Sequence, residues 1–180
     1  MQAMEKIKNL ILQLLSSPYF VNGGILAVSV ISLAMALTAE HVFGLAPCIL
    51  CIYQRVPFVI TSVLALAGLG LSFKKPLYTA IPIALSAFAF LVNSGLAFYH
   101  SGVELKWWIS VFDGCHVSAI AGSSENLLKA IQSAAAVPCD EIPWIDPVIG
   151  LSMANYNTVM CFCLAIGCGF CSYLIYKKYK

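Results

Sequence analysis

Charge is scarce in this sequence: of 180 residues, ten are Lys or Arg and eight are Asp or Glu, together 10%. Four stretches carry no charged residue at all: Val21 to Ala39, Val56 to Phe73, Leu77 to Tyr99 and Tyr156 to Tyr176. Such low charge, beside 61% apolar residues and a mean hydropathy of +0.89, excludes an ordinary soluble domain. The basic residues gather on no stripe, so nothing suggests a nucleic-acid surface. Also missing are an internal repeat, a low-complexity tract, a Walker-type Gly loop and an HExxH metal motif.

What is present is length without charge. The four apolar stretches run to 18 to 23 residues each, and a membrane-spanning helix needs about 20, within a range of roughly 17 to 25. The expected fold is therefore all-α: an integral membrane four-helix bundle forming one domain over residues 1–180, with spans at 21–39, 56–73, 77–99 and 156–176. The only long polar segment, residues 100–155, holds Glu104, Lys106, Asp113, Glu125, Lys129, Asp140, Glu141 and Asp146.

The lysines orient the bundle. Lys6, Lys8, Lys74, Lys75, Lys177, Lys178 and Lys180 all fall on one side of a four-span arrangement, the side expected to be cytoplasmic together with both termini. The opposite side carries Arg55, Lys106, Lys129, seven of the eight acids and the long loop. In a bacterium with an inner membrane that side is the periplasm, where disulfides persist. Lys6 and Lys8 ahead of an apolar run and Ala34-Met35-Ala36 imitate a cleavable leader. The run continues to Ala39, longer than a usual leader core, so the first helix is expected to be retained.

Local signals fill in the connections. Ile7, Leu10, Ile11, Leu14 and Leu15 recur at helical spacing, predicting a short interfacial helix over 7–15 that Pro18 breaks. Lys74-Lys75-Pro76 predicts a tight turn, Pro57 is expected in the first turn of the second span, and Pro82 is expected to bend the third. Ser123-Ser124-Glu125 followed by Leu127, Leu128, Ile131, Ala134 and Ala135 predicts an amphipathic helix on the outer membrane surface, ended by Pro138.

Eight cysteines divide by position. Cys161, Cys163, Cys168 and Cys171 lie within the fourth span and read as small apolar core residues, although Cys168-Gly169-Phe170-Cys171 repeats a CxxC spacing. Cys48, Cys51, Cys115 and Cys139 fall on the oxidising side, an even number that suits two disulfides with three possible connectivities. Three uses remain open for them: inert clamps on the outer loops, a four-thiolate zinc site, or thiol-disulfide exchange. Zinc motifs usually pair one CxxC with another, whereas 23 residues separate Cys115 from Cys139.

Exchange chemistry is favoured at Cys51, expected near a helix N-terminus with the fixed charge of Arg55 one turn further on; both lower a thiol pKa. The alternative for Arg55 is an interfacial anchor that snorkels to headgroups. A thiolate at the membrane boundary needs an electron acceptor that can reach it through lipid, and a quinone fits. Tyr99, His100, Glu104, Trp107 and Trp108 end the third span on the same side and are candidates to line such a pocket, with the tryptophans also reading as an interfacial belt.

The run Pro47-Cys48-Ile49-Leu50-Cys51-Ile52-Tyr53-Gln54-Arg55 resembles the Pro-Cys-x-x-Cys-x-x-x-Arg signature of the DsbB family, quinone-dependent membrane proteins that generate disulfides. Tyr99 to Glu104, Pro138-Cys139-Asp140 and Gly150 to Ala154 resemble segments of the same family, and the likeness runs from about Val21 to Tyr176. The resemblance implies an enzyme, a protein-disulfide oxidoreductase of the bacterial inner membrane. Its four catalytic cysteines would be Cys48, Cys51, Cys115 and Cys139.

In that reading a reduced DsbA-like periplasmic thioredoxin-fold partner attacks the Cys115 and Cys139 pair at Cys115. A transient bridge links Cys48 and Cys139, and Cys51 reduces ubiquinone or menaquinone through a thiolate–quinone complex aided by Arg55. Arg55, His100 and Glu104 would be the cofactor-binding residues, and no metal is implied. Two departures are visible: Glu104 stands where the best-known members carry Gln, and the cysteines of the fourth span are outside the family pattern. A vitamin K epoxide reductase relative fits less well, because that family's quinone-side CxxC comes late in the chain. A non-catalytic scaffold with two structural disulfides is the alternative from another class.

Overall fold

The computed structural model describes residues 2–112, 115 and 137–180. Five helices occur among them: α1 (Gln2–Leu15), α2 (Pro18–His41), α3 (Ile49–Lys74), α4 (Ala80–Glu104) and α5 (Met153–Tyr179). A 3₁₀ turn, Pro76–Thr79, leads into α4. No β-strand forms among the described residues, so the architecture is all-helical. Four of the helices are long and apolar enough to cross a membrane. The helix expected over 123–135 lies outside the described residues, as do Asp113, Glu125 and Lys129.

Each span is longer than its uncharged stretch, because helix ends extend into polar sequence until a cap or a break stops them. α2 starts with Pro18 at its first position, after an extended Ser17, where a missing N–H costs nothing. α3 starts seven residues before the uncharged stretch at Val56, capped by Cys48. Pro57 is therefore inside α3 rather than in its first turn. Pro82 sits in the first turn of α4, directly after the 3₁₀ segment, rather than bending the middle of a span. α4 runs on through His100 to Glu104, so these residues stand on a helix and not in the loop.

Large apolar side chains face outward, among them Ile31, Met35, Val63, Phe88, Val159 and Ile166, while the helix interfaces hold smaller and more polar groups. This distribution suits a lipid solvent, in which close packing and interhelical hydrogen bonds hold a bundle together. Gly68 lets α2 approach α3: a Cβ there would fall 2.1 Å from Asn22 Oδ1. Ser29 and Thr61 bond across the same interface at 2.8 Å, a contact worth about 0.6 kcal/mol in a bilayer. Ser94 Oγ donates to the Thr158 carbonyl at 2.9 Å and Ser172 Oγ to the Ala80 carbonyl at 2.8 Å, joining α4 to α5 at both ends. Phe58, Ile83, Phe90 and Ile175 fill the apolar centre.

A second, smaller buried cluster sits at one end of the bundle. It comprises Cys48, Leu50, Val103, Cys115 and Cys139, with Ile49, Cys51, Tyr99, Trp108 and Phe112 packed against it. All four candidate cysteines thus share one neighbourhood.

Candidate functional site

The start of α3 builds the CxxC. Cys48 is extended (φ −73°, ψ 169°), the conformation a cap requires, and its Sγ accepts the Cys51 N–H at 3.3 Å. Sulfur here replaces the oxygen of a usual N-cap side chain. One helical turn places Cys51 Sγ 2.9 Å from Cys48 Sγ, in a shared hydrogen bond. Cys48 is buried and Cys51 half-buried, both as thiols. The sequence reading assigned the helix-end effect to Cys51; the geometry puts the capping sulfur at Cys48.

The end of α4 supplies the second wall. His100 Nε2 lies 3.5 Å from Cys48 Sγ, and Gln54 Nε2 of α3 approaches His100 Nδ1 at 3.0 Å. An amide nitrogen can only donate, so Nδ1 accepts and the ring's proton sits on Nε2, facing Cys48. The hydrogen bond from Cys51 is the largest influence on the Cys48 thiol; with His100 and the Cys51 N–H it overcomes the opposing effect of burial and pulls the thiol down to about 4.

Glu104, one turn beyond His100, holds its Oε1 3.8 Å from His100 Nε2. Its Oε2 accepts a short hydrogen bond from Ser152 Oγ. Ser152 is also the N-cap of α5, accepting the Asn155 N–H at 3.3 Å. A turn delivers it there: Gly150 adopts φ +75°, a left-handed conformation that favours glycine, and Asp146 N bonds the Leu151 carbonyl at 3.0 Å. Asp146 stabilises that turn by accepting the Ile149 and Val148 N–H groups and the Tyr156 hydroxyl, which together hold its carboxyl below the usual value.

The loop pair closes the site. Cys115 and Cys139 form a disulfide, both sulfurs fully buried, with Cys139 N donating to the Cys115 carbonyl at 3.2 Å. Since these two bond to each other, four thiolates cannot converge on a zinc ion here. A smaller soft-donor set remains in Cys48, Cys51 and His100, whose ligand atoms lie within 4.8 Å of one another. Aromatic residues roof this side: Tyr99 stacks on Trp108 at 5.8 Å and 17°, and Trp108 Nε1 donates to the Tyr99 carbonyl at 3.0 Å. Trp108 needs the space above Gly102, where a Cβ would come within 2.0 Å of its ring.

Arg55 faces elsewhere. Its Nη1 bonds Glu40 Oε2 of α2 at 2.6 Å, so the cation's direct partner is a carboxylate rather than a thiol. That contact exists because α2 continues to His41, past the uncharged stretch. Arg55 and Cys51 are partly accessible, whereas His100 and Glu104 are buried and committed to internal partners. Asn157 of α5, which donates to Gln54 Oε1 at 2.7 Å, belongs to the site but carried no motif in the sequence.

Comparison with known proteins gives a consistent picture. The family model for disulfide bond formation protein DsbB matches residues 19–171. The chain is 29% identical over 139 residues to disulfide bond formation protein B of Herminiimonas arsenicoxydans, covering 77% of this chain and 84% of that one. It is 31% identical over 113 residues to the protein of the same name from Acinetobacter baylyi, covering 62% of each. An uncharacterised protein of Rickettsia prowazekii is 28% identical over 146 residues, 81% of this chain and 82% of its own. No solved structure matches significantly.

Proposed function

The chain belongs to the DsbB family of membrane disulfide bond formation proteins, and on that premise we propose that it reoxidises a DsbA-like periplasmic dithiol protein and passes the electrons to membrane quinone. The observation that carries this reading is the single buried cluster that holds a bonded Cys115–Cys139 pair against a reduced Cys48 and Cys51 pair. Two disulfide couples in contact can exchange; two remote clamps could not.

The steps balance as follows. A thiolate of the reduced partner attacks Cys115 Sγ, breaking the Cys115–Cys139 bond and releasing Cys139 as thiolate; the partner's second thiol then displaces Cys115 and leaves as a disulfide. Cys139 attacks Cys48 of a bonded Cys48–Cys51 pair, forming a Cys48–Cys139 disulfide and freeing Cys51. Cys115 attacks Cys139, restores the loop disulfide and expels Cys48. Two electrons then reside on Cys48 and Cys51. Cys48 is a good leaving group here, because its cap N–H and His100 Nε2–H both donate to the sulfur.

The residues present fit a quinone. Cys51 is half-buried beside an outward apolar face of α3 bearing Ile52, Val56 and Val59, and Arg55 borders it with guanidinium N–H groups beyond the one that binds Glu40. A bound quinone supplies a sink for two electrons and two protons. Arg55 would hold a quinone oxygen and Cys51 would face the ring, with His100 and Glu104 acting from behind through Cys48. The cysteine end of the bundle is then periplasmic, and the lysine-rich end, where Lys178 Nζ reaches Ser16, cytoplasmic.

The test uses purified protein, a reduced thioredoxin-fold dithiol partner and a soluble quinone, followed by quinone absorbance. Thiol-dependent quinone reduction that disappears in Cys51→Ser supports the relay. No such reduction with either a benzoquinone or a naphthoquinone sinks it.

A further inference from the structure

A line of polar side chains runs from Cys48 into the middle of the bundle, in a segment otherwise built for lipid. Gln54 Nε2 donates to His100 Nδ1 at 3.0 Å. Asn157 Nδ2 donates to Gln54 Oε1 at 2.7 Å. Cys161 Sγ donates to Asn157 Oδ1 at 3.1 Å, and Asn93 Nδ2 donates to Cys161 Sγ at 3.3 Å. Three helices contribute: α3 with Gln54, α4 with Asn93 and His100, α5 with Asn157 and Cys161.

Every donor in this line points the same way. Gln54, Asn157 and Cys161 each accept from the neighbour on the membrane side and donate to the neighbour on the Cys48 side; Asn93, which starts the line, donates to Cys161 and its own Oδ1 is unpaired. The line ends at His100 Nε2–H, 3.5 Å from Cys48 Sγ. We infer that Gln54 and Asn157 are positioning residues for the disulfide relay: through a one-way hydrogen-bond chain they hold His100 as the Nε2–H tautomer, with its N–H directed at Cys48 Sγ and Nδ1 unprotonated. The inference rests on the proposed relay for its purpose, but not for its geometry.

Three physical points support it. An imidazole has two nitrogens, and whichever is protonated is decided by the partner of the other. Gln54, whose Oε1 accepts from Asn157, turns an N–H toward Nδ1 and so favours the Nε2–H tautomer. Hydrogen bonds in series polarise one another, so donors aimed at one sulfur favour negative charge there. Finally, Gln54 is buried within a bundle whose outward faces are apolar, where polar side chains are costly unless they are paired, and both ends of its amide are.

Among the described residues, the groups that face Cys48 are Cys51 from α3, Tyr99, His100 and Glu104 from α4, and the bonded Cys139 from the loop. Glu104 is held by Ser152, and Arg55 by Glu40. His100 is therefore the one positionable donor among them besides the Cys51 thiol.

The experiment uses the full chain in detergent, reduced and free of quinone and partner, with ¹⁵N-labelled histidine. His100 is one of three histidines and is assigned by the spectrum of His100→Asn. The expected result is a protonated Nε2 and an unprotonated Nδ1 at pH 7. Asn157→Leu, which touches neither His100 nor Cys48, should give mixed tautomers. Peptide-resolved alkylation of Cys48 in that variant should have its midpoint moved up by about one pH unit, a slowing that approaches tenfold below pH 4 and is small at pH 7. Gln54→Met should do at least as much, and Asn157→Ser serves if the leucine variant fails to fold.

A proton on Nδ1 of the natural protein, as tautomer or as imidazolium, overturns the inference. So does a folded Asn157 variant with an unchanged spectrum and an unchanged alkylation midpoint. Neither readout depends on quinone turnover, so the chain and the relay can fail separately: loss of the relay with the tautomer as expected leaves the chain standing.

Discussion

Two groups of buried sulfur lie at different depths of this molecule, and their contrast shows what makes a thiol useful. Cys168 and Cys171 are as enclosed as Cys48, but their neighbours are the apolar residues of the bundle centre. Cys48 has a backbone N–H, a second thiol and an imidazole within hydrogen-bonding distance, and a disulfide beside it. Burial and a neighbouring sulfur are common to both; hydrogen-bond donors and a disulfide alongside belong to one. Cys161 stands between them, held by Asn93 and Asn157 yet distant from any other reactive sulfur. The CxxC spacing is therefore an opportunity that only the extended residue before a helix, not the interior of one, turns into chemistry.

The largest effect that can break this contrast comes from exchanging cysteines. Cys51→Ser should lower partner-dependent quinone reduction by at least about 10³-fold, since it removes a member of a unit that acts together, whereas Cys168→Ala and Cys171→Ala should stay within about twofold. Loss of turnover in the α5 variants, with folding intact, would place the deeper sulfurs in the relay.

A pH series sharpens the same comparison. With its thiol held near 4, Cys48 in the reduced protein should alkylate at a rate that is flat from about pH 8 to about pH 5 and falls below that. The sign carries over to stability. The folded value is depressed from 9.0, so the thiolate's contribution is complete above pH 9 and is lost as pH falls towards 4. Denaturation of the reduced protein against Cys48→Ala across that window should show the gap widening as pH rises. A gap that stays constant would mean that Cys48 titrates like a free thiol.

Smaller effects test the walls of the site. Gly102→Ala drives a Cβ into Trp108 and should destabilise the folded protein by about 1–3 kcal/mol. Gly95→Ala on the same helix meets nothing within 4 Å and should change stability by no more than about 1 kcal/mol. Thermal unfolding in detergent measures both. The smallest expected effect is at Asp146→Asn, which weakens the turn ahead of Ser152. Because the Asp146 carboxyl is held below its usual value, the deficit should be present at neutral pH and vanish as acid protonates the natural side chain. A deficit of equal size at pH 2 and pH 7 would show that its charge is irrelevant to the turn.

The sequence disclosed the spans because a lipid-facing helix advertises itself by lacking charge, and it disclosed the four outer cysteines because side and spacing restrict them. Helix starts were less visible. Arg55 ends the uncharged run at Val56, yet α3 continues through it, since an interfacial turn tolerates polar residues when Cys48 caps it. The partner of Arg55 was hidden for a related reason: Glu40 lies just beyond the uncharged run that marked the end of α2. Asn157 and Gln54 had no local signature, because their meaning comes from three helices converging, a relation that periodicity within one helix does not encode.

The sulfur that caps α3 is, in the proposed relay, also a sulfur that must form bonds. In the thiol pair, Cys48 Sγ satisfies one of the unpaired N–H groups that open every helix. Once that sulfur is drawn into a disulfide it carries no negative charge and accepts poorly, so the Cys51 N–H loses most of its partner. Each oxidation then loosens the first turn of a membrane helix, and each reduction tightens it. Backbone hydrogen exchange at Cys51 would follow the redox state of the pair, making the helix end a mechanical register of where the electrons are.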